Sequence, residues 1–187
     1  MAHQSEKHKM LTGQLYRSRD ELLCRERRHA RKLLKTFNET LPDDLDKRSI
    51  ILRELFSTLG QRAVIEPPFF CDYGYNIHIG DNFYANFNCV MLDCAEVTIG
   101  NDVFLGPSVQ IYTATHPLMA EERNTGLEAA KPIEVGDSVW IGGGAIINPG
   151  LTIGRGTTIG SGSVVTRNIP PNVFAAGNPC KVIRHLG

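Results

Sequence analysis

No stretch of this 187-residue chain approaches the roughly 20 consecutive apolar residues that a membrane span requires. Residues 1–6 also lack the apolar run of a signal peptide, so a cytoplasmic protein with no membrane partner is expected. An excess of either charge is missing too: 20 Lys and Arg stand against 20 Asp and Glu, which argues against nucleic acid as a partner. The five cysteines (Cys24, Cys71, Cys89, Cys94 and Cys180) contain no CxxC pair, and their odd number fits a reducing compartment better than a disulfide framework. Aromatic residues make up only 7%, with Trp140 the single tryptophan. The 42% of apolar residues is enough for one repeat domain with a small appendage.

Those apolar residues follow neither a helical nor an alternating pattern over residues 79–166. Val135, Ile141, Ile147, Ile153, Ile159 and Val165 recur every six residues, as do Ile99, Leu105 and Ile111, and before them Ile79, Ala85 and Met91. Gly commonly follows a rung, as in Ile79-Gly80, Ile99-Gly100 and Ile153-Gly154. A strict period of six is the mark of a parallel β-helix in which each unit is a short strand plus a corner, and Gly at the corner tolerates unusual backbone angles. The expected fold is mainly β, a solenoid over about residues 77–170 within a domain at 63–187, preceded by a helical segment at 1–62.

Two breaks interrupt the ladder. Met91 to Ile99 is two residues too long, so part of Leu92-Asp93-Cys94 is expected to loop out. Between Ile111 and Val135 lie 24 residues, a multiple of six, yet residues 117–131 are polar and without rungs. They read as a loop that projects and returns in phase, with Thr113-Ala114-Thr115-His116-Pro117 where it leaves. Loops on a rigid scaffold are common places for sites.

The N-terminal segment is charged and helical in its spacing. Ser18-Arg19-Asp20-Glu21 has the form of a capping box, followed by Leu22, Leu23, Ala30, Leu33, Leu34 and Phe37 on one face. Arg25, Arg27, Arg28, Arg31, Lys32 and Lys35 read as a solvated basic face. A second helix is expected from about Asp43-Asp44 to a stop at Gly60, and the pair should cap the first coil.

The opening Gly13-Gln14-Leu15-Tyr16-Arg17-Ser18, the run Cys71-Asp72-Tyr73-Gly74-Tyr75-Asn76-Ile77, the run Asn82-Phe83-Tyr84-Ala85-Asn86-Phe87 and residues 113–117 resemble the hexapeptide-repeat sugar O-acetyltransferases. The maltose O-acetyltransferase branch is the nearer match, with the galactoside acetyltransferases as cousins. The resemblance implies a left-handed parallel β-helix, assembly as a homotrimer with sites between subunits, acetyl-CoA as co-substrate, no metal, and a sugar acceptor. Acetyl transfer to a hydroxyl needs a base, oxyanion donors and two substrates in contact. Of six histidines, four lie near the termini or in the charged helix, leaving His78, read as structural, and His116, which matches the family's catalytic base. Glu128 in the projecting loop is a candidate to orient it.

For the acceptor, the resemblance points to Asn86, Asp72 and Ser18, with Asp93 adjoining a further position. The departure is Cys94, where the galactoside enzymes carry Asp, which favours glucosyl acceptors over galactosides. Asn86 can also be read as a plain corner residue and Ser18 as the helix cap. Gly143, Ser161 and Thr166 match positions that contact the donor, Lys181 and Arg184 match its phosphate-binding pair, and Trp140 either walls the cleft or packs. Ile141-Gly142-Gly143-Gly144 and Ser161-Gly162-Ser163 leave coil edges thin enough for a slender ligand. A zinc-dependent carbonic anhydrase on the same solenoid would need three His ligands, and the coils hold two. A chloramphenicol-type acetyltransferase is a nearer rival, and the N-terminal helical segment argues against it. A binding scaffold without catalysis is the rival from outside the enzymes.

Overall fold

Stacking the six-residue units in register turns the ladder into a parallel β-helix with three long sheets. This computed structural model describes residues 4–187, so His3 lies outside the described residues. On the first sheet Leu59 pairs with Ile79, Ile79 with Ile99, Ile99 with Val135 and Val135 with Ile153. On the second, Ile65, Ala85, Leu105, Ile141, Ile159 and Ala175 form one continuous column. On the third, Cys71, Met91, Ile111, Ile147 and Val165 do the same. From Ile65 onward every one of these rungs is buried, and together they form a single core. The projecting loop does return in phase, since Ile99 and Val135 are direct neighbours.

The coil is longer than residues 77–170. Thr58–Leu59, Val64–Ile65 and Phe69–Cys71 make a first turn, and Val173–Ala176 extends the second sheet at the other end. Leu59, Ile65 and Cys71 do keep the six-residue step, but prolines at 67 and 68 and the cysteine rung disguise it. The expected helix to Gly60 fails for the same reason. Leu59 continues the helical spacing of Leu52, Leu55 and Phe56 as well as it starts the ladder, and in the fold its pairing with Ile79 wins.

The corner glycines also have a different cause from the expected backbone freedom. Gly60, Gly80 and Gly100 stack on the same corner with ordinary negative φ. A Cβ on Gly60 would lie 2.2 Å from the Gly80 carbonyl oxygen, and one on Gly80 2.6 Å from that of Gly100. Coils about 4.8 Å apart leave no room for a side chain pointing along the axis. The left-handed backbone falls two residues later, on Arg62, Asn82 and Asp102. Asx side chains then stitch the corner: Asp81 accepts from Gln61 N, Asn101 from Asp81 N and Asp137 from Asn101 N.

Three helices precede the coil: α1 (Glu6–Leu11), α2 (Glu21–Asn38) and α3 (Leu45–Leu55). The C-terminal half of α2 (Ala30, Leu34, Phe37) and α3 (Ile51, Leu52, Leu55) close the open end of the first coil on Ile65 and Phe69. The N-terminal part of α2 runs alongside the solenoid, with Leu23 in a second cluster of Met10, Tyr16, Tyr73, Cys94, Ala95 and Ala130. Among the described residues no helix is long and apolar enough to cross a membrane.

Replacing Gly80 by Ala should destabilise the fold by about 1–3 kcal/mol through overpacking against backbone. The melting temperature should fall by about 2–4 °C for each kcal/mol. An unchanged melting curve would show that the corner has room to relax.

Candidate active site

Residues 113–131 leave the third sheet as an antiparallel excursion. Ala114–Thr115 pairs with Leu127–Ala130, a four-residue helix (Ala120–Arg123) sits at the tip, and Tyr16–Arg17 adds a third strand from the N-terminal segment. The register matters. Thr115 faces Ala129, His116 follows directly after the end of that strand, and Glu128, the next residue along the partner strand, is paired on its other side with Tyr16. Cross-strand neighbours project on one face, which gathers these side chains.

The expected capping box does not form. Asp20 caps α2, its Oδ1 accepting from Leu22 N at 3.0 Å and Leu23 N at 3.3 Å. Ser18 lies outside the helix, and its Oγ donates to Glu128 Oε1 at 2.6 Å. Tyr16 Oη donates to the other carboxylate oxygen at 3.1 Å.

Two adjoining cavities share Ser18 and Glu128. The outer one, about 580 Å³, has His116, Arg17, Arg19 and Thr125 on its walls. The inner one, about 190 Å³, is closed by Arg27, Asp72 and Cys94. Burial raises the Asp72 carboxyl above its usual value, with the Arg27 guanidinium pulling the other way. Burial also pushes the Cys94 thiol up to about 12 and the Cys89 thiol up to about 11, so neither is poised as a thiolate.

Asp93, expected near the acceptor, points elsewhere. It is fully buried, and its carboxylate accepts from Asp72 N at 3.0 Å, Tyr73 N at 2.8 Å and Gly74 N at 2.7 Å. Burial pushes it up to about 7 against the pull of these amides. It ties the extra-long corner to the coil before it, while the adjoining Cys94 reaches the cavity, its Sγ 3.7 Å from Asp72 Oδ2. His78 stands on the outer face of the first sheet between Thr58 and Thr98, beside Glu96 at 3.9 Å, away from both cavities.

The remaining expected residues lie on another edge. Asn86, Trp140, Gly143 and Ser161 line a cleft with Tyr84 and Phe104 at the corner after the second sheet. Asn86 thus groups with the residues expected to contact the donor and not with Asp72 and Ser18. Its own Oδ1 accepts from Phe87 N at 2.8 Å, a local turn bond. Thr166 is exposed one corner further on, after Val164–Val165. Lys181 and Arg184 are exposed on the Lys181–His185 strand, antiparallel to Val173–Ala176.

Sequence reasoning missed Arg27 and Tyr16. Arg27 is one of several arginines on a charged helix, and only the packing of α2 against the corner at Tyr73 distinguishes it. Tyr16 carried a weak mark, its place in the run before Ser18.

The comparisons with known proteins fit this layout. The family description "Maltose acetyltransferase hexapeptide capping motif" matches residues 9–60, the helices and the start of the coil, and "Bacterial transferase hexapeptide (six repeats)" matches residues 132–167. A putative acetyltransferase of Saccharomyces cerevisiae is 52% identical over 95% of this chain and 91% of its own length. Among solved structures, a maltose O-acetyltransferase from Clostridium difficile superposes with a TM-score of 0.98 at 52% identity over the whole of both chains. A galactoside acetyltransferase in complex with coenzyme A gives 0.96 at 43% identity, covering 99% of this chain and 92% of that one. With likeness of this depth running through cap, coil and excursion together, the chain belongs to the hexapeptide-repeat acetyltransferases, beside the maltose and galactoside O-acetyltransferases, and is an acyltransferase.

Proposed function

We propose that the protein transfers the acetyl group of acetyl-CoA to a hydroxyl of a glucosyl sugar, with His116 as general base. The observation that carries this is the pair of adjoining cavities: polar groups from α2, the coil corner and the excursion converge on the inner one, and His116 stands on the outer one across their shared wall of Ser18 and Glu128. A sugar offers mainly hydroxyls, and Asp72, Ser18 and Glu128 supply acceptors and a donor for them. His116 takes the proton of the attacking hydroxyl as its oxygen bonds to the thioester carbonyl carbon. The tetrahedral intermediate then expels the thiolate of coenzyme A, which receives that proton. Acetyl-CoA as donor draws support from the coenzyme A complex of the galactoside acetyltransferase.

Direct attack is favoured over an acetyl-enzyme because Cys89 and Cys94 are buried thiols with raised pKa values. Gly143, Ser161, Trp140 and Thr166 are proposed to line the path of the donor, with Lys181 and Arg184 on its phosphates.

The site is proposed to be completed between subunits of a homotrimer. The outward residues of the first sheet are polar (Thr58, His78, Thr98, Glu134, Thr152), whereas the second sheet turns out Val64, Tyr84, Phe104, Trp140 and Phe174 with one Thr158, and the third turns out Phe70, Val90, Ile146 and Val164 with one Gln110. Val64, Phe70, Phe104 and Trp140 are each more than two-fifths exposed, which suits contact with other copies. A neighbour's edge carrying Asn86 and Gly143 could then face His116.

Acetyl-CoA turnover with glucose or maltose tests the reading. Replacing His116 by Ala should lower kcat by about 10²–10⁴ with little change in donor binding. Replacing Cys89 and Cys94 by Ala should lower kcat by no more than about tenfold, far less than the base is worth; a dead but folded double variant, or parallel-line kinetics, would reveal a covalent route. Lys181→Ala and Arg184→Ala should each raise the KM for acetyl-CoA more than that for sugar, each removing a charge-assisted contact of about 1.5–3 kcal/mol. Equal effects on both substrates would remove these residues from the donor site. Sedimentation should give three times the chain mass, and a monomer at micromolar concentration would end the shared-site arrangement.

A further inference from the structure

The inner cavity is unbalanced in charge. Two carboxylates, Asp72 and Glu128, share about 190 Å³ with a single cation, Arg27. Arg27 comes from α2, where sequence alone gives it the same reading as its basic neighbours, yet its guanidinium turns inward. Nη2 donates to the Ser18 carbonyl at 2.6 Å, Nη1 donates to Tyr73 Oη at 2.5 Å, and the group lies 5.5 Å from the centre of the Tyr73 ring. Those bonds join three segments far apart in sequence: α2, the Ser18 segment after the Tyr16–Arg17 strand, and the corner that follows Phe69–Cys71.

We infer that Arg27 is a positioning residue for the acceptor: it ties Ser18, on the inner cavity, to the Tyr73 corner that carries Asp72 into it, and supplies the counter-charge that lets Asp72 accept from a sugar hydroxyl. The inference rests on the reading of this cavity as the acceptor site. A fixed planar fork suits the task, because one guanidinium reaches two partners at set angles and keeps its charge at every working pH. Lysine keeps the charge and loses the fork. Asp72 is also faced by Arg31 from α2, by Glu128 from the excursion, by Asp93 and Cys94 from the neighbouring corner, and by its chain neighbours Cys71 and Tyr73. Arg31 is the one other cation in that set. Removing Arg27 leaves two carboxylates in close confinement, and the like charge drives Asp72 further toward its protonated form. As pH falls, Asp72 then loses its charge at a higher pH than in the native protein.

The test uses the full-length protein, Arg27→Met and Arg27→Lys, with glucose and acetyl-CoA as substrates and thermal unfolding to confirm folding. Arg27→Met should raise the KM for glucose about tenfold or more, the worth of lost hydrogen bonds to a charged group, while the KM for acetyl-CoA stays within twofold. The carboxyl titration of Asp72, followed by carbon-13 NMR and assigned with Asp72→Asn, should move upward in Arg27→Met and stay near the native position in Arg27→Lys. The Lys variant should show an intermediate glucose KM. Both KM values rising together, or an Asp72 titration unmoved in Arg27→Met, would overturn the inference. If the native protein acetylates no sugar, the proposed function fails. The titration then decides Arg27 alone: an upward move supports its counter-charge role and no move overturns it. An Arg27→Met chain that does not fold, beside an active Arg27→Lys with native KM values for both substrates, would also overturn it.

Discussion

Close stacking of backbone on backbone at the coil corners is the constraint on which the rest of the structure depends. A Cβ at Gly60 or Gly80 would meet the next coil's carbonyl within 2.6 Å, so the glycines are required by proximity while their dihedrals are ordinary. With every coil held this close, rungs such as Ile141 and Ile159 stay in register, and each residue's direction is set by its place in the six-residue unit. The outside is sorted by the same rule. One sheet presents threonines, His78 and Glu134 outward, and two present mostly aromatic and branched residues.

A scaffold this regular can carry an irregular insertion, provided the chain returns where it left. Ile99 and Val135 remain neighbours although 36 residues separate them, so the excursion adds a wall without disturbing the core. Its strand is sealed on one side by Ala114–Thr115 and on the other by Tyr16–Arg17. The N-terminal segment therefore does two jobs. Half of α2 covers the apolar end of the coil, and the remainder, through Leu23 and Arg27, holds the strand of Tyr16 and the Ser18 that follows it against Glu128.

Neighbouring carboxylates illustrate how local geometry assigns roles. Asp72 and Asp93 occupy successive copies of the same extended corner. Asp93 turns inward and commits both oxygens to three amides of the coil before it, a satisfied buried group with nothing left for a ligand. Asp72 turns outward into the cavity beside Arg27. Residue type does not separate the two, but register does: Cys71 pairs with Met91, and Asp72 follows its rung by one residue where Asp93 follows by two.

By itself the sequence determined the architecture, because a period of six admits one kind of stacking and its phase survives a 24-residue gap. It also singled out His116, a histidine at the point where the ladder breaks, and the residues Ser18 and Asp72 that the family resemblance carried over. Only the tertiary structure decided that the helix starts at Glu21 and frees Ser18, that Leu59 belongs to the coil, that Asp93 is a tie and Arg27 a wall of the cavity. Each of these turns on a contact between segments distant in the chain. Spacing specifies which face a residue occupies within its own element; which partner waits on that face is set by how the elements pack.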